Sequence, residues 1–365
     1  MAGVKLDKGT SGLGKFSDDL LAWYDLHARS LPWRVPPLES KRGFRGNPYH
    51  IWLSEVMLQQ TTVATVKAYF EKFTGIWPSV EAMAAASQEA VLAQWAGLGY
   101  YSRARNLKAC ADIVVAQYGG QFPQTREALR SLPGIGDYTS AAIAAIAFGQ
   151  REAVVDGNIE RVSLRQLADA TPLPAAKEVA RNFMEQHTPQ DRPGDFVQAM
   201  MDLGATICRP KNPVCGLCPV RENCTASKAG TMLDFPVKPQ KKTKPTRRGA
   251  AFFIEDGRGL VWLMRREGKG LLGGMAALPS TDWSSRADGA VGDTAAPDMV
   301  DKTVWQQAGT VRHTFTHFHL ELEVWCGEGQ PASNEGWWHP LSDLKEAGLP
   351  TVFAKAAALA LQHDE

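Results

Sequence analysis

The sequence has almost no net charge and no long apolar run. Its 365 residues carry 40 Lys and Arg against 39 Asp and Glu, a formal net charge of +1. Binding to nucleic acid would therefore depend on local patches and backbone contacts. No uninterrupted apolar stretch reaches the roughly 18 residues that a membrane-spanning helix needs. The polar residues 1–14 lack the apolar core of a secretory signal, which predicts a protein of the reducing cytoplasm.

Cysteine is scarce, yet four of the six cysteines lie between positions 208 and 224 with the spacing C-x6-C-x2-C-x5-C. They are Cys208, Cys215, Cys218 and Cys224. Four thiolates in one loop-rich stretch can surround a metal centre, and the inner C-x2-C pair is a common two-point attachment. The uneven outer spacing fits the paired knuckles of structural zinc poorly. We predict a [4Fe-4S] cluster, with zinc and disulfides as the alternatives.

The pattern of the sequence divides the chain into a helical part and an α/β part. Residues 16–206 are rich in Ala and Leu, and apolar residues recur every three or four positions. They predict an all-α domain, in which Thr139–Phe148, apolar nearly all round, is a buried central helix. A smaller α/β domain is predicted by the strand-like and helical runs Ala250–Ile254, Leu260–Met264, Leu320–Cys326 and Phe353–Gln362.

A segment rich in proline and lysine separates these two parts. Phe235–Arg248 contains three prolines and six Lys or Arg without apolar periodicity, which is typical of an extended linker. It is either a solvated tether, which we favour, or a basic strap that touches phosphates. The predicted bounds are 16–229 for the first domain, 230–248 for the linker and 249–365 for the second domain.

Two glycines, Gly134 and Gly136, precede the predicted buried helix in the run Leu-Pro-Gly-Ile-Gly. They permit a tight turn and a close approach of another molecule. The N-terminus of the following helix offers free N–H groups to an anion such as a duplex phosphate. By itself the run is as typical of a plain helix–helix turn.

Two acidic residues stand in apolar surroundings. We interpret residues 51–66 as one packed helix, on which Glu55, Gln59 and Thr62 share a stripe. A carboxylate on such a helix is either paired structurally or retained for chemistry. Asp156 follows an apolar run and precedes a glycine, so it suits a helix N-cap.

Six motifs in order, together with the cysteine spacing, carry a resemblance to a known family. They are Leu31–Arg34, Asn47–Val63, Trp95–Leu107, Leu132–Ile143, Val154–Val162 and Gln198–Cys208. They resemble the helix–hairpin–helix DNA glycosylases and, within that superfamily, the MutY-type adenine DNA glycosylases, which remove adenine mispaired with 8-oxoguanine. The resemblance implies an all-α glycosylase domain with an iron–sulfur cluster loop, a monomer, and duplex DNA with 8-oxoguanine:adenine or guanine:adenine mispairs as partner. A bacterial source would place it at the nucleoid.

The resemblance also implies catalytic roles. Glu55 matches the general acid that protonates adenine, and its apolar helix would raise its pKa. Asp156 matches the carboxylate that stabilises the oxocarbenium-like sugar, and Asn158 matches an asparagine that supports the sugar site. Tyr138 replaces the lysine that forms a Schiff base in lyase-active relatives, so the implied enzyme is monofunctional.

Further residues match positions of the family that contact DNA. Arg34 corresponds to an arginine near the adenine pocket, and Gln60, Leu98 and Tyr100 correspond to residues that wedge into the duplex beside the lesion. The full predicted set in the first domain is Arg34, Gln60, Thr61, Leu98, Tyr100, Gly134 and Gly136.

The C-terminal part resembles the family's Nudix-like lesion-recognition domain at Gly270–Pro279 and His313–Trp325. The acidic R-E-x-x-E-E cluster of a Nudix hydrolase is missing from residues 249–365, so we expect binding rather than hydrolysis. Phe315, Thr316 and His317 occupy the family's Phe-Ser-His loop, which contacts 8-oxoguanine. Threonine in place of serine keeps the hydroxyl and adds a methyl.

Three other functions compete with adenine excision. A bifunctional pyrimidine-lesion glycosylase/lyase of the endonuclease III type is disfavoured by Tyr138 and by the extra domain. A non-catalytic DNA-binding or redox-sensing cluster protein is disfavoured by Glu55 and Asp156. Nucleotide hydrolysis by the C-terminal domain is disfavoured by the missing acidic cluster.

Overall fold

A computed structural model describes residues 10–239, 243–267, 271–285, 304–331 and 335–363. The chain divides into two compact units, Met1–Gln240 and Lys241–Glu365. Within the described residues, no helix is both long and apolar enough to cross a membrane.

The first unit is all-α, as the sequence predicts. Its helices are α1 (Thr10–His27), α2 (Pro37–Lys41), α3 (Pro48–Leu58), α4 (Val63–Ile76), α5 (Val80–Ala85), α6 (Gln88–Trp95), α7 (Ser102–Tyr118), α8 (Arg126–Arg130), α9 (Asp137–Phe148), α10 (Gly157–Leu167), α11 (Ala176–His187), α12 (Pro193–Thr206) and α13 (Thr225–Ala229). Short 3-10 helices follow α12 at Cys215–Leu217 and Arg221–Asn223, and follow α13 at Met232–Asp234.

Helix α9 lies at the centre of this unit, which confirms the prediction from its apolar sequence. Ile143 and Ala144 pack into one hydrophobic core with α3, α4 and α7. Ala141, Ala142 and Ala145 pack into a second core with α1, α10 and α12. Small side chains on all sides let neighbouring helices approach α9 closely, so that the residues at its start and those of α3, α10 and α12 can meet.

The single helix expected over residues 51–66 is wrong. Helix α3 ends at Leu58, and Gln60 adopts a left-handed backbone conformation with φ of 59°. The Thr62 side chain accepts a hydrogen bond from the Thr65 N–H and so caps the start of α4. Glu55, Gln59 and Thr62 therefore do not share one helical stripe, and a tight turn separates the first two from the third.

The second unit is an α/β domain, as predicted. Its strands are β1 (Thr246–Glu255), β2 (Leu260–Arg265), β3 (Ala276–Ala277), β4 (Gln306–Thr314), β5 (His319–Glu328) and β6 (Gly336–Pro340), and a final helix α14 spans Thr351–His363. The sheet order is β3-β2-β1-β5-β4, with β6 paired to β2. Strands β1 and β5 are parallel and the other pairs are antiparallel. Helix α14 packs on one face of the sheet, and a cluster of tryptophans lies on the other.

Strands β4 and β6 carry no clear pattern in the sequence. In β4 the register shifts between Gln307 and Gly309, so the apolar alternation of a regular strand is lost. In β6 every residue except the last is half-buried, so neither face of this strand stands out as apolar. Both strands form because β5 and β2 offer them backbone partners.

The linker predicted over residues 230–248 is shorter than expected. Residues 232–234 form a 3-10 helix, the Phe235 carbonyl accepts from Arg165 Nε at 3.2 Å, and the Val237 carbonyl accepts from the Leu173 N–H at 3.0 Å. At its other end, Thr246 already belongs to β1. The basic, proline-rich composition did not reveal that both ends of this segment form backbone hydrogen bonds with folded parts of the chain. Residues 240–242 of the predicted linker lie outside the described residues.

Candidate active site

A cavity of about 930 Å³ opens in the first unit. It is lined by residues of α3, α9, α10 and α12 and by the turn between α3 and α4. Of the residues predicted from the sequence, it brings together Arg34, Glu55, Gln60, Thr61, Tyr138, Asp156 and Asn158. The predicted catalytic residues are distant in sequence, and the packing of helices around α9 brings them into the lining of one cavity.

Glu55 is a buried acid in this cavity. It lies on α3 and is only 6% exposed. The pKa of Glu55 is raised to about 7: burial and the nearby Asp156 raise it, while a hydrogen bond from Tyr138 and the charge of Arg34 oppose the rise. Burial together with the neighbouring Glu55 and Asp156 raises the pKa of Tyr138 well above its usual value, so its phenol stays neutral and donates to Glu55. A carboxyl with such a pKa can hold a proton near neutral pH and deliver it.

Asp156 is the N-cap of α10, as its sequence context indicates. Its Oδ1 accepts from the N–H groups of Asn158 and Ile159 at 3.0 and 2.7 Å, and its Oδ2 accepts from Asn158 Nδ2 at 2.9 Å. These bonds fix the carboxylate in orientation while it borders the cavity. A negative charge held in this way can stabilise a cation that develops beside it.

Asn158 connects this carboxylate to the cysteine-rich loop. Its Oδ1 accepts from Arg161 Nη2 at 3.0 Å, and Arg161 Nε donates to the Cys208 carbonyl at 2.8 Å. Gly204 on α12 makes the approach possible, because a Cβ there would lie 2.6 Å from the Asn158 Cβ. The first cysteine of the loop is thus braced by the helix that positions Asp156.

Arg29 and Glu160, which line the cavity, and the buried Asp202, which binds two arginines of its lining, were not singled out from the sequence. Asp202 is fully buried, and it accepts from the Arg29 Nε and N–H at 2.6 and 3.0 Å and from Arg34 Nη1 at 2.8 Å. Glu160, one turn after Asp156, also lines the cavity, and burial raises its pKa. The signal for Asp202 was a carboxylate within the apolar run Met-Met-Asp-Leu-Gly-Ala, which needs a buried cationic partner.

The predicted wedge residues differ in exposure. Gln60 is exposed and borders the cavity, and Tyr100 is 52% exposed. Leu98 is 6% exposed and belongs to the core around α3 and α7, so it does not protrude. Thr61 is half-buried. Gln60 and Tyr100 are therefore the two that the surface presents to a partner, and the role of each in DNA binding stays a prediction.

The turn Gly134–Gly136 leads into α9 as expected. Gly134 has φ of 75°, and a Cβ there would lie 2.7 Å from the Asn106 Cβ, so the position favours glycine. The first residue of α9 is Asp137, whose negative charge works against an anion at this end. Hydrogen bonds from Arg181 and Arg126 lower the pKa of Asp137 to about 2, so it stays ionised, and the two arginine charges offset its negative charge. Phosphate binding at this turn stays a prediction.

The four clustered cysteines line one small, apolar cavity beside α10. All six cysteines of the chain are free thiols, so the structure contains no disulfide among the four. Arg165 Nη1 donates to Cys208 Sγ at 3.4 Å and to the Arg209 carbonyl at 2.8 Å. Among the described residues, no group of three or more His, Cys, Asp or Glu is arranged to hold a single metal ion. Four thiols nevertheless line this cavity, with the buried guanidinium of Arg165 available to compensate negative charge.

In the second unit, the predicted loop Phe315–His317 joins β4 to β5. Phe315 is anchored: its ring centroid lies 4.8 Å from that of Phe318, with the two planes tilted by 30°, and its N–H donates to the Phe318 carbonyl at 2.9 Å. Thr316 and His317 are exposed at the tip. Thr314 Oγ1 and His319 Nδ1 are 2.9 Å apart and close the base of the loop. The loop is built to present two polar side chains.

Two protein-family models match the chain in agreement with this architecture. Residues 53–189 match the HhH-GPD superfamily base excision DNA repair protein, and residues 250–359 match the NUDIX domain. A solved structure of a thermostable thymine-DNA glycosylase is similar to this chain, with a TM-score of 0.51 and 29% sequence identity. The match covers 59% of this chain and 95% of the solved chain. The first unit therefore has the helical fold of this superfamily.

Curated proteins match over most of the chain. The adenine DNA glycosylase of Homo sapiens is 36% identical and covers 85% of this chain, which in turn spans 66% of the human protein, about two thirds of its length. The adenine DNA glycosylase of Buchnera aphidicola subsp. Baizongia pistaciae is 32% identical over 93% of this chain and 95% of its own length. The chain therefore belongs to the adenine DNA glycosylase family, with a DNA N-glycosylase domain of the HhH-GPD superfamily followed by a NUDIX domain.

Proposed function

We propose that this protein excises adenine mispaired with 8-oxoguanine, or with guanine, from duplex DNA by hydrolysis of the N-glycosidic bond after base flipping. The observation that carries the proposal is that one cavity contains both a buried acid, Glu55, and a carboxylate that caps a helix, Asp156. A cavity of this kind accepts a base that has left the stack. The protein acts as a monomer in this proposal.

The chemistry assigns one carboxyl to each half of the breaking bond. Glu55 donates its proton to a ring nitrogen of adenine, so that the base leaves as a neutral molecule. The electron pair of the glycosidic bond stays with the base, and the sugar becomes an oxocarbenium-like cation. Asp156 stabilises this cation until water adds to it and releases a proton.

The residue at position 138 sets the reaction class. A lysine there could attack the sugar and form a Schiff base. Tyr138 instead donates a hydrogen bond to Glu55, which orients the acid. The enzyme is therefore a monofunctional glycosylase, and the abasic site is its product.

The four cysteines hold a [4Fe-4S] cluster in this proposal. The cavity that they line is apolar, and cysteine thiolates are the ligands that iron–sulfur clusters take. The four thiols line one cavity, so each could bind one iron of such a cluster. The bound cluster would fix the loop after α12, and free cysteines of this kind fit a reducing cytoplasmic compartment, at the nucleoid in a bacterium.

The purified protein should be brown and contain stoichiometric iron. Cys215→Ser should lower the bound iron and weaken DNA binding more than base excision, because the cysteines lie outside the cavity that contains Glu55. Iron content, visible absorbance and binding to a mispaired duplex would be measured. Cys110→Ser, at a buried cysteine of the helical core, is the matched control and should keep the cluster. A colourless, zinc-loaded and fully active wild-type protein would contradict the assignment.

Recognition of 8-oxoguanine falls to the second unit in this proposal. The loop that carries Thr316 and His317 presents their polar side chains to solvent, and Phe315 anchors it. No acidic cluster for a catalytic metal occurs in the sequence of this domain. The NUDIX domain thus serves as a binding module.

A protein that ends at Gln240 should keep adenine excision opposite guanine but lose preference for 8-oxoguanine by about ten- to a hundredfold, the discrimination that a few hydrogen bonds to one base supply. The cut leaves Phe235 and Val237 on the unit to which they are hydrogen-bonded. Single-turnover excision from both duplexes would be compared. An unchanged ratio would place lesion recognition wholly in the first unit.

The proposed function is tested by base release from duplexes with adenine opposite 8-oxoguanine, guanine or thymine. We expect single-turnover release in the order 8-oxoguanine, guanine, thymine, without an adduct that borohydride can trap. Efficient borohydride trapping of a covalent adduct would show instead that the protein is a bifunctional glycosylase/lyase. Absence of adenine release from all three duplexes, with DNA binding intact, would refute catalysis.

A further inference from the structure

One buried arginine joins two segments that lie far apart in sequence. Arg103, on α7, is 7% exposed. Its Nη1 donates to the carbonyls of Val56, Met57 and Gln59 at 3.1, 2.9 and 2.6 Å. Its Nη2 donates to Thr61 Oγ1 and to the carbonyls of Leu98 and Gly99 at 3.2, 2.9 and 3.2 Å. The guanidinium thus contacts the end of α3 and the loop before α7 at the same time.

The acceptors of Arg103 are unusual for a buried cation. Within the part of the chain that the structure describes, no carboxylate pairs with it; every hydrogen-bond acceptor is a carbonyl or a hydroxyl. Its guanidinium carbon lies 5.1 Å from the centroid of the Trp95 ring and 5.6 Å from that of Tyr100. Carbonyls at the end of a helix carry partial negative charge, and aromatic faces attract cations. The charge therefore serves to bind backbone, and the rigid planar fork of arginine fixes the geometry.

Each segment carries an exposed residue in a left-handed backbone conformation next to these acceptors. Gln60 has φ of 59° and lies between two residues that Arg103 binds, Gln59 and Thr61. Tyr100 has φ of 47° and follows Gly99, another acceptor. The Tyr100 carbonyl accepts from the Arg103 N–H at 2.9 Å. Such conformations are costly for non-glycine residues and persist where the surroundings impose them.

We propose that Arg103 is a positioning residue for base extrusion, which holds Gln60 and Tyr100 at a fixed separation so that both enter the duplex together beside the mispair. The inference rests on the proposed function, base flipping included, and on the predicted wedge roles of these two residues. A wedge that is ordered before binding avoids the entropy cost of ordering it on the DNA. The same guanidinium binds the end of α3, the helix that carries Glu55, so insertion and the acid share one support.

Arg103→Lys tests this role because it keeps the charge but places all donors on one nitrogen, which cannot reach six acceptors. The probe is a duplex with 2-aminopurine beside the mispaired adenine, whose fluorescence rises on unstacking. We expect the rise to slow, and single-turnover excision at subsaturating protein to fall, by about ten- to a hundredfold, as for loss of charge-assisted hydrogen bonds. Arg151→Lys is the matched control: Arg151 binds the carbonyls of Glu185 and Thr188, away from the wedge, and should change neither signal.

A double-mutant cycle separates positioning from a general loss of packing. In a protein with Gln60→Ala and Tyr100→Ala, the addition of Arg103→Lys should slow the fluorescence rise little further, because no wedge remains to be positioned. An equal loss in both backgrounds would overturn the proposal. Thr61→Val removes one acceptor and should give a smaller slowing of the same kind, which keeps the test decisive if Arg103→Lys unfolds. A wild-type protein that unstacks the DNA without excising adenine would refute the proposed function. The fluorescence of the variants would still show whether Arg103 positions the wedge.

Discussion

Glu55→Gln should lower single-turnover adenine excision by about 10² to 10⁴-fold, the usual contribution of a general acid. Glutamine keeps the shape of the side chain and can accept the hydrogen bond from Tyr138, but it has no transferable proton. Binding to the mispaired duplex should survive, because the substitution leaves the buried packing of α3 intact. Excision at the wild-type rate would show that another group protonates the base.

The pH dependence gives an independent check on the same residue. Burial raises the pKa of Glu55 to about 7, so the acid is protonated below this pH and loses its proton above it. The wild-type excision rate should therefore fall as pH rises through about 7, and this fall should be absent from the residual activity of Glu55→Gln. Glu71→Gln, at an exposed position on α4, makes the same chemical change outside the cavity and should leave both rate and profile unchanged.

The sequence predicted the parts of the fold and the site that depend on local pattern. The all-round apolar character of α9 indicated its central position, and the acid-glycine pair at Asp156 indicated the cap of α10. Strands with a regular apolar pattern, such as β5, were also predictable. Periodicity and capping act over a few residues, so they can be recognised without knowledge of the tertiary structure.

The remaining features depend on contacts between distant segments. The break between α3 and α4 is stabilised by Arg103, more than forty positions away, and no local signal marks Gln60 as left-handed. The ion pairs of the buried Asp202 require Arg29 and Arg34 from the other end of the domain. Strand β4 needs β5 as a partner to overcome its irregular register. Long-range electrostatics and strand pairing thus decided what local pattern left open.

Asp156→Asn should reduce excision by about 10² to 10³-fold, as expected when a preorganised charge is removed from beside a developing one. Asparagine is also a good N-cap, and its side-chain oxygen can accept from the N–H groups of Asn158 and Ile159. The helix should therefore remain capped, and thermal stability should change little. What the substitution removes is the negative charge that faces the sugar.

The comparison with Glu55→Gln distinguishes the two carboxyls. The rate of the Asp156→Asn variant should still fall as pH rises through about 7, because Glu55 remains the acid, whereas the rate of Glu55→Gln should not. Asp169→Asn makes the same change at a carboxylate that accepts from the Thr171 N–H outside the cavity, and should have the wild-type rate. If Asp156→Asn lost stability and activity together, Asp156 would be a cap alone. Full stability with hundredfold slower excision would show that Asp156 acts in the transition state. The attraction between its charge and the nascent cation is strongest there.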